Sequence, residues 1–318
     1  MKKPIQIARV FGAVSLLSGV FSVALATAGC QPRADGEPAR TCAISTQMPV
    51  RKANPPVLFA APTTAQIADQ PGDALNPFVA APPKVDPSAE VRGPTEWQAD
   101  RALSGAARSI RAIRAREPVV KDLFAKADVA YPPAELAFVV YKADRQLEVW
   151  GTAEKGGESK RVATYRWCYA SGDLGPKRYE GDRQVPEGFY TIQYGWAESA
   201  YHLEMKVSYP NMVDKVLGPK NRPLGGEIMI HGDCASIGCI SMGDERDEEL
   251  WTMMKAMGRT QVAVHIYPSR DIDALLRDSK YEQHHSFWKN LKEGQDRMKK
   301  EHRIPTAHAD WRGVYLFD

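Results

Sequence analysis

The chain has 318 residues, of which 43% are hydrophobic and 25% charged, and it contains seven tryptophans. This composition is typical of a globular protein and excludes a wholly disordered chain, a collagen-like chain and a protein with many membrane spans. Three basic residues lie within the first nine positions, and without them the chain carries 39 basic and 39 acidic residues. Because nucleic-acid-binding domains carry an excess of positive charge, nucleic acid is not expected as a partner.

Residues 1–29 have the pattern of an export signal. Three basic residues precede an uncharged, largely apolar run, 10–28, which ends in the sequence Ala-Thr-Ala. This pattern predicts a signal peptide and a periplasmic location. Gly29-Cys30 allows a second interpretation, a lipoprotein anchored to the membrane through a lipid on Cys30. A transmembrane anchor is the remaining alternative, because the run approaches the length of a membrane span.

Residues 30–95 are expected to form a disordered, Pro-rich linker. Twelve of the 23 prolines lie in this segment, and Phe59 and Phe78 are its only aromatic residues. Such a segment buries too little apolar surface to offset the entropy lost on ordering, and proline keeps it extended. The alternative is a partly ordered lobe that packs against the following domain.

Residues 96–132 are predicted to be a helical segment. Apolar residues recur with helical spacing over 99–116, and Pro118 is expected to end or bend that helix before a second short helix, 119–127. The arginines of the first helix predict a solvated face, with binding of acidic lipid or cell-wall polymer as the alternative.

Residues 133–268 are predicted to form a β-rich α+β domain with helices at its edges, followed by a helical extension, 269–318. A helix is expected at 244–258, capped by Asp244 and closed by Gly258. In the extension, a polar helix is expected near 281–302, and the apolar stretch 313–317 is expected to dock back onto the domain. Seven strands are predicted from apolar and alternating patterns, at 136–142, 145–150, 162–169, 188–194, 201–207, 227–231 and 261–267.

The residues best suited to catalysis lie between 231 and 242. An apolar strand ends at His231, and Cys239 follows a short loop and opens the next apolar stretch. A nucleophilic cysteine requires a thiolate, and an imidazole within hydrogen-bonding reach removes the thiol proton and stabilises an ion pair. Gly238 permits a tight backbone in which successive amides point at a developing oxyanion.

Two other interpretations of the same residues remain open. His231, Cys234 and Cys239 have the spacing H-x2-C-x4-C, which would hold zinc if a fourth ligand came from elsewhere in the chain. In an exported protein, Cys234 would alternatively form a disulfide with Cys168 or Cys42.

The segments 230–232 and 236–240 resemble the active-site signature of the YkuD-like L,D-transpeptidases, which is a His-Gly followed by Ser/Thr-His-Gly-Cys. Residues 175–190, Tyr201-His202-Leu203 and 208–211 are similar to the YafK-like branch of that family. Two departures accompany the likeness. The spacer between the two halves of the signature is only three residues, as in the YafK-like branch, and Ile237 replaces the second histidine.

The resemblance implies an L,D-transpeptidase-type β-sandwich and a cysteine enzyme that needs no metal or other cofactor. It assigns Cys239 as nucleophile and His231 as base, with the surrounding loop shaped by Gly232, Ser236 and Gly238. It also implies that peptidoglycan stem peptides are the substrate, with carboxylate binding expected at Lys177, Arg178 and Arg183, and with His202 lining the pocket. Cys168 lies at the end of a predicted strand near the motif, so a disulfide with Cys234 would brace the site, and the partner of Cys234 stays open between Cys168 and Cys42.

For the YafK-like branch, the implied reaction is hydrolysis of the amide that joins a murein-linked outer-membrane lipoprotein to diaminopimelate. Transpeptidation through the same thioester is the other possible outcome, because the identity of the acceptor is left open. The alternatives from other classes are a non-catalytic cell-wall-binding protein and a zinc-stabilised interaction module.

Overall fold

The computed structural model describes residues 103–258 and 261–318. The predicted signal peptide, the predicted linker, Cys30 and Cys42 lie outside the described residues. Within the described ranges, no helix is both long enough and apolar enough to cross a membrane.

The described residues form five α-helices, a short 3₁₀ helix and ten strands. The helices are α1 (Gly105–Lys126), α2 (Met212–Leu217), α3 (Asp244–Ala256), α4 (Ile272–Leu276) and α5 (His285–Glu301), with the 3₁₀ helix at Ser279–His284. The strands are β1 (Glu135–Tyr141), β2 (Gln146–Thr152), β3 (Ser159–Arg166), β4 (Gly188–Ser199), β5 (His202–Val207), β6 (Met229–His231), β7 (Ile240–Ser241), β8 (Ala263–Tyr267), β9 (Ala307–Ala309) and β10 (Tyr315–Phe317). The predicted α+β, β-rich class is confirmed.

Eight strands are hydrogen-bonded in the order β3-β2-β1-β8-β4-β5-β6-β7. The long strand β4 joins two halves, because Gly188–Thr191 pairs with β8 and Ile192–Ser199 pairs with β5. Within this order, the β1–β8 and β6–β7 pairs are parallel and the others are antiparallel. The half formed by β5, β6 and β7 contains the His231 and Cys239 segment.

Apolar side chains from both halves of the sheet belong to one buried cluster. The alternating residues Phe138 and Val140 of β1 meet Met205 of β5 and Ile230 of β6 in this cluster, together with helices α1 and α3. A second cluster lies against the other residues of β1, where Val139 packs with Trp288 of α5. The apolar faces of the strands therefore set the position of β6 and β7 relative to the helices.

Helix α1 differs from the sequence prediction. It runs without interruption through Pro118 to Lys126, so the predicted break and second helix are wrong. Residues on both sides of Pro118, including Ala112, Val120 and Phe124, are buried in the main cluster. This packing outweighs the loss of one helical hydrogen bond at proline.

Two arginines of α1 pack against the domain, whereas Arg111 and Arg114 are exposed, as the predicted solvated face requires. Arg108 is buried and donates hydrogen bonds to the carbonyls of Ala197, Ser199 and His202 at 2.9 to 3.0 Å. Arg116 forms an ion pair with Glu248 of α3. The helix is thereby tied to the β4–β5 hairpin and to α3.

The carboxyl-terminal extension packs onto the second cluster. Tyr315 of β10 is buried, and its ring lies 4.9 Å from that of Phe189. The hydroxyl of Tyr315 also accepts a hydrogen bond from the side-chain amide of Asn211, at 2.7 Å. The prediction that the stretch 313–317 docks back onto the domain is confirmed.

Candidate active site

His231 and Cys239 lie at neighbouring positions on the same face of the sheet. Strands β6 and β7 are parallel, with Ile230 opposite Ile240 and His231 opposite Ser241. Met229 and Cys239, which each precede this first pair by one residue, lie beside each other. The Met229 amide donates a hydrogen bond to the Cys239 Sγ atom at 3.4 Å. Because side chains alternate between the two faces of a strand, His231 and Cys239 point to the face opposite the apolar Ile230 and Ile240.

The imidazole of His231 is buried and held in one orientation. Its Nδ1 atom is hydrogen-bonded to the carbonyl oxygen of Gly232, which requires the proton on Nδ1 and leaves Nε2 as the basic nitrogen. The ring packs at 5.1 Å from that of Tyr201. Burial lowers the pKa of His231 below 6.5, and this effect is partly offset by the hydrogen bond to Gly232 and by the charges of Asp233 and Asp244.

Cys239 is the free thiol of the described residues. Its Sγ atom lies 3.5 Å from the carbonyl oxygen of Glu227, besides its contact with the Met229 amide. Burial raises the pKa of the Cys239 thiol to about 11, although the Met229 hydrogen bond and the charges of Lys206 and Lys177 act in the opposite direction.

These pKa directions differ from the sequence expectation of a thiolate–imidazolium pair. Within the described ranges, no hydrogen bond joins His231 to Cys239, and burial disfavours the charged form of each group. Burial therefore favours a neutral thiol near a neutral imidazole. The ion-pair prediction assumed direct contact between the two side chains, and it stays a prediction that the alkylation profile tests.

The loop before Cys239 is closed by Ser236. The Ser236 hydroxyl donates to the Cys239 carbonyl at 2.7 Å and accepts from the Gly238 amide at 3.1 Å. The Gly238 amide is thus already used within the loop. Gly238 has a φ of +133°, and a Cβ atom there would lie 3.1 Å from the carbonyl oxygen of Gln184. The loop therefore needs glycine both for its backbone conformation and for its close approach to Gln184.

Gly232 is a second glycine that neighbouring atoms approach too closely to leave room for a side chain. A Cβ atom at this position would lie 2.6 Å from Oδ1 of Asp244 and 2.8 Å from Cβ of His202. Oδ1 of Asp244 accepts the amide of Asp233 at 2.7 Å. Gly243, without a side-chain hydrogen bond, is the cap of α3. The predicted capping role of Asp244 is therefore wrong, and its carboxylate holds the loop that follows His231 instead.

A disulfide joins Cys168 to Cys234, with the two Cα atoms 5.4 Å apart. Of the two partners that the sequence leaves open for Cys234, the structure shows Cys168. The pairing also removes Cys234 as a zinc ligand, because its sulfur is bonded to another cysteine. Cys168 in turn donates its amide to the Ser241 carbonyl at 3.1 Å, so the disulfide ties the loop to the segment after β3 that lies beside β7.

The three basic residues proposed to bind substrate carboxylates have different surroundings. Lys177 is buried, and its ammonium donates to Asp182 at 2.6 Å and to the Tyr179 carbonyl at 3.0 Å, so it braces its own loop. The Arg178 guanidinium lies 5.6 Å from the ring of Phe287 on α5. Arg183 is exposed, and it precedes Gln184, the residue whose carbonyl approaches Gly238. Of the three, Arg183 lies beside the Cys239 loop with its side chain open to solvent.

His202 is largely buried against Glu248, so it does not line an open pocket as predicted. Its Nε2 atom is 3.1 Å from Oε1 of Glu248, and only 8% of its side chain is exposed. Glu248 also pairs with Arg111 and Arg116 of α1. His202 therefore connects the backbone next to Gly232 with the ion pairs between α1 and α3.

Sequence reasoning missed two buried charged residues of β5. In the sheet register, Lys206 is opposite Met229 and Glu204 is opposite His231. We call Lys206, Met229 and Cys239 the nucleophile row, and Glu204, His231 and Ser241 the base row. The alternation of charged and apolar residues in 203–207 indicated a strand with one polar face, but the pairing of β5 with β6 was not evident from local sequence.

Lys206 is a buried cation in the nucleophile row. Its ammonium donates to the carbonyls of Val207, Tyr209 and Gly226. Burial lowers the pKa of Lys206, whereas the nearby charges of Glu227 and Cys239 raise it. In the base row, burial raises the pKa of Glu204, and a hydrogen bond with Ser199 partly offsets this rise.

The same face continues onto β4 with two exposed aromatic residues. Tyr194 pairs with Lys206 and Trp196 pairs with Glu204 across β4 and β5. About half of each side chain is exposed, 50% for Tyr194 and 51% for Trp196. The two rows thus run from buried groups at β6 and β7 to an open aromatic surface at β4.

Residues 136–266 match the model of the YkuD family, described as the L,D-transpeptidase catalytic domain. The chain is also 34% identical over 173 residues to the protein named "Putative L,D-transpeptidase YafK" of Escherichia coli strain K12, a match that covers 53% of this chain and 68% of the relative. The protein of the same name from Escherichia coli O157:H7 matches to the same extent.

Among solved structures, the helical cell shape determining protein Pgp2 of Campylobacter jejuni is 18% identical, with a TM-score of 0.36 over 55% of this chain and 73% of that protein. A mutant form of Pgp2 is 22% identical, also with a TM-score of 0.36, over 53% of this chain and 57% of the mutant, which is less than two thirds of its length. Bd1075 of Bdellovibrio bacteriovorus is 17% identical, with a TM-score of 0.33 over 57% of this chain and 80% of that protein.

The matched segment contains both rows, the Cys239 loop and the residues 175–190 that pack against it. The identity to YafK extends over two thirds of the relative's length. The chain therefore belongs to the YkuD family of L,D-transpeptidase catalytic domains, a family of peptidoglycan-modifying enzymes.

Proposed function

We propose that this protein cleaves or exchanges amide bonds at diaminopimelate in peptidoglycan stem peptides, through a thioester on Cys239. The observation that carries the proposal is the placement of a free thiol and an oriented imidazole on the same face of two neighbouring strands. Cys239 is the nucleophile and His231 is the base. The family membership supports peptidoglycan as the substrate.

The reaction begins from a neutral pair. When the substrate carbonyl lies against Cys239, the thiol proton moves to Nε2 of His231 as the sulfur–carbon bond forms. The Gly232 carbonyl stabilises the resulting imidazolium through Nδ1–H. Since burial keeps the thiol neutral at rest, proton transfer and attack occur together rather than from a standing thiolate.

The tetrahedral intermediate then expels the amine. Its carbon–nitrogen bond breaks, the amine takes the proton from His231, and an acyl-Cys239 thioester remains. Water resolves this thioester in an amidase, and a second amine resolves it in a transpeptidase. Because the Gly238 amide is bonded to Ser236, we assign oxyanion stabilisation to the amide of Cys239 itself.

Lys206 supplies positive charge near the reacting sulfur. It lies in the nucleophile row, and its ammonium is held by carbonyl oxygens, with no carboxylate ion pair in the described part of the chain. A buried cation of this kind favours negative charge on sulfur during attack and on the leaving thiolate during thioester breakdown.

We place the reaction in the periplasm, either on a freely soluble protein or on one anchored by a lipid at Cys30. The amino-terminal sequence pattern supports export. The Cys168–Cys234 disulfide also supports it, because disulfides persist in oxidising compartments. The murein-linked lipoprotein amide is the substrate that we test first, as the short spacer before Cys239 is shared with the YafK-like branch.

The proposal is tested by incubating the purified protein with murein that carries bound lipoprotein and, separately, with free muropeptides. Mass spectrometry of the products distinguishes released lipoprotein, which indicates hydrolysis, from a new amide bond, which indicates exchange. Cys239→Ala should abolish both, whereas Cys168→Ser with Cys234→Ser should leave the nucleophile reactive. Normal turnover by Cys239→Ala would contradict the mechanism.

Electrophile labelling separates the enzyme from a non-catalytic wall-binding protein. Iodoacetamide at alkaline pH should modify one thiol, Cys239, in the described part of the chain, and murein substrate should protect it. A Cys239 thiol that reacts with iodoacetamide but never forms an acyl adduct with substrate would support the wall-binding alternative.

A further inference from the structure

Three half-exposed aromatic residues extend the candidate active site across the β4–β5 hairpin. Tyr194, Trp196 and Tyr201 are 50%, 51% and 45% exposed, and we call them the aromatic strip. The mechanism above uses none of them, and the sequence resemblance assigns a role to none of them. Large aromatic side chains that share one surface and stay open to solvent mark a binding site more often than a bare protein surface.

A bulge in β4 turns the first two residues of the strip away from the core. Ile192 is buried and lies opposite Val207. The next pair in the register is Tyr194 with Lys206, so β4 has one extra residue between the two pairs. Because side chains alternate along a strand, Tyr194 would share the core-facing side with Ile192 if this residue were absent. The bulge therefore places Tyr194 and Trp196 on the face of the nucleophile row and the base row.

The strand is supported from behind at the same place. A Cβ atom at Gly195 would lie 2.6 Å from the ring of Trp251, so this glycine packs directly on the core side of β4. Glu198 is the one charged residue of β4, and its side chain lies against Gly105 at the start of α1. The strip thus lies on a well-packed strand and presents uncharged rings to solvent.

Tyr201 brings the strip to the catalytic base. Its ring lies 5.1 Å from the imidazole of His231. The hairpin is fixed at its turn, because the Ser199 hydroxyl accepts the Tyr201 amide at 2.8 Å and Arg108 donates to the Ser199 and His202 carbonyls. One end of the strip is therefore held against the residue that takes up the thiol proton.

The distance from the strip to Cys239 matches the length of a stem peptide. Trp196 is opposite Glu204, which is opposite His231, so the Cα atoms of Trp196 and His231 are about 10 Å apart at the usual strand spacing. Cys239 lies one strand further, roughly 16 Å from Trp196. Three extended residues span about 10 Å, and the γ-linkage of D-Glu and the lactyl group lengthen the link to the sugar. A substrate whose amide is at Cys239 thus brings its sugar to the aromatic strip.

The chemistry of the strip suits a pyranose ring. The face of an aromatic ring carries negative charge density, and the slightly positive C–H groups of a sugar pack against it. The phenol hydroxyls and the indole N–H also bond to the hydroxyl and acetamido groups of N-acetylated sugars. The strip contains no aliphatic side chain and no charge, so it fits a lipid surface or an acidic polymer less well.

We propose that Tyr194, Trp196 and Tyr201 bind the glycan next to the stem peptide that reacts at Cys239. The inference rests on the proposed function and names a second part of its substrate, the N-acetylated sugars. The protein therefore prefers a stem peptide that is still attached to its glycan over the free peptide.

The test measures binding in the full chain carrying Cys239→Ala, which cannot turn over. The probes are the tripeptide L-Ala-γ-D-Glu-diaminopimelate and the same tripeptide attached to the disaccharide of N-acetylglucosamine and N-acetylmuramic acid. Calorimetry should show tighter binding of the disaccharide form. Adding Trp196→Ala should weaken that form about tenfold, as expected for loss of a stacked aromatic ring, and leave the free tripeptide unchanged.

Trp311→Ala is the matched control. Trp311 is 81% exposed and lies in the turn between β9 and β10, outside the strip. Its removal should change neither affinity. Tyr194→Ala should act in the same direction as Trp196→Ala, whereas Trp196→Phe keeps a ring and should retain most of the affinity for the disaccharide form.

A second measurement observes the indole directly. The Nε1–H resonance of Trp196, assigned by its loss in Trp196→Phe, should shift with the disaccharide form and remain in place with the free tripeptide. Equal affinities of Trp196→Ala and its parent for the disaccharide form would overturn the proposal. Equal losses for the two probes would also overturn it, because the ring would then contact the peptide rather than the sugar.

Failure of this inference is distinguishable from failure of the proposed function. Binding of both probes without a preference for the sugar overturns the role of the strip alone and leaves the thioester chemistry in place. A wild-type protein that never forms an acyl adduct with murein, but prefers the disaccharide form through Trp196, would overturn the thioester mechanism and leave the strip in place. Binding of neither probe would overturn the stem-peptide substrate and, with it, this inference.

Discussion

The chemistry of Cys239 depends on burial more than on contact with its base. Had the pair been in contact in the resting state, the imidazolium would have lowered the thiol pKa. Instead burial raises the pKa of Cys239 to about 11 and lowers that of His231. Activation must therefore coincide with substrate binding, which brings the carbonyl against the sulfur and completes the path for the proton.

This state predicts different pH profiles for alkylation and turnover. Iodoacetamide alkylation of Cys239 should rise steadily with pH through 8 to 10, because it reports the thiolate fraction of a thiol whose pKa is raised. Turnover should persist below pH 6.5 and decline only when His231, whose pKa is lowered, accepts a proton. The two rates are measured on the same protein across pH 4.5 to 10.

His231→Gln separates the two roles of the histidine. We expect the alkylation profile to keep its position, since no resting ion pair is lost, while turnover falls by ~100-fold or more through loss of the general base. A flat alkylation rate around neutrality in the wild type, abolished in His231→Gln, would instead establish the ion pair and contradict the neutral resting state.

Lys206 gives a further prediction at the scale of single residues. Lys206→Met removes the charge from the nucleophile row and keeps the length of the side chain, so the pKa of Cys239 should rise further and acylation should slow. Lys206→Arg should restore most of the rate. The alkylation profile is the informative readout, because a purely structural loss would reduce activity without moving the pKa of the thiol. Unchanged profiles in Lys206→Met would show that the cation does not act on Cys239.

At the scale of elements, local patterns identified most of the strands. Strand β1 and helix α3 begin within one residue of their predicted starts, because each has a clear apolar period or an acidic first turn. The predicted break at Pro118 is wrong. Proline lowers helix stability locally, but the burial of α1 against residues distant in sequence is not visible in the local pattern and outweighs that loss. The strands β7, β9 and β10 have only two or three residues each, too few for an alternating pattern to identify them.

The difference between local patterns and contacts distant in sequence also explains which site residues could be predicted. His231 and Cys239 lie in one short segment with its own signature, so they were accessible to sequence analysis. Lys206 joins the site through the β5–β6 register, which is set by strand pairing and not by the local sequence. Lys177 resembled a binding residue because its charge is visible in the sequence, while its buried partner Asp182 becomes evident only in the folded loop.

The Cys239 loop itself yields a prediction. Gly238→Ala places a Cβ atom where φ is +133° and the Gln184 carbonyl is 3.1 Å away, so the loop must shift. We expect a loss of roughly 1 to 3 kcal/mol in the free energy of unfolding and a larger fractional loss of turnover. Urea denaturation and product formation measure the two effects.

Gly156→Ala is the matched control for that substitution. Gly156 also has a positive φ, +68°, but nothing lies within 4 Å of its Cβ position, and it is in the turn between β2 and β3. It should lose some stability and keep full turnover. Equal losses of turnover in the two variants would show that the shape of the Cys239 loop is not critical.

At the scale of the whole molecule, two buried groups, His265 and Asp214, have opposite effects on how the free energy of unfolding changes with pH. Burial lowers the pKa of His265 to about 4, so its contribution to stability is present above 6.5, its ordinary value, and is lost as the pH falls toward 4. Burial raises the pKa of Asp214 to about 7, so its contribution is present below its ordinary value of 3.8 and is lost as the pH rises toward 7. Each shift corresponds to roughly 3 to 4 kcal/mol.

Because these two contributions change in opposite directions between pH 4 and 7, single substitutions should separate them. His265→Phe keeps a ring against Phe189, which packs 4.9 Å away, and removes the group that takes up a proton on unfolding. Relative to wild type, its free energy of unfolding should rise as the pH falls from 7 to 4.5. Asp214→Asn keeps an acceptor for the Tyr190 hydroxyl and should show the reverse trend. Urea denaturation at the two pH values measures both, with His308→Gln, an exposed histidine paired to Asp318, as the control. If the pH dependence of His265→Phe matched that of wild type, His265 would not be the neutral core group that its burial between Phe189 and Tyr267 indicates.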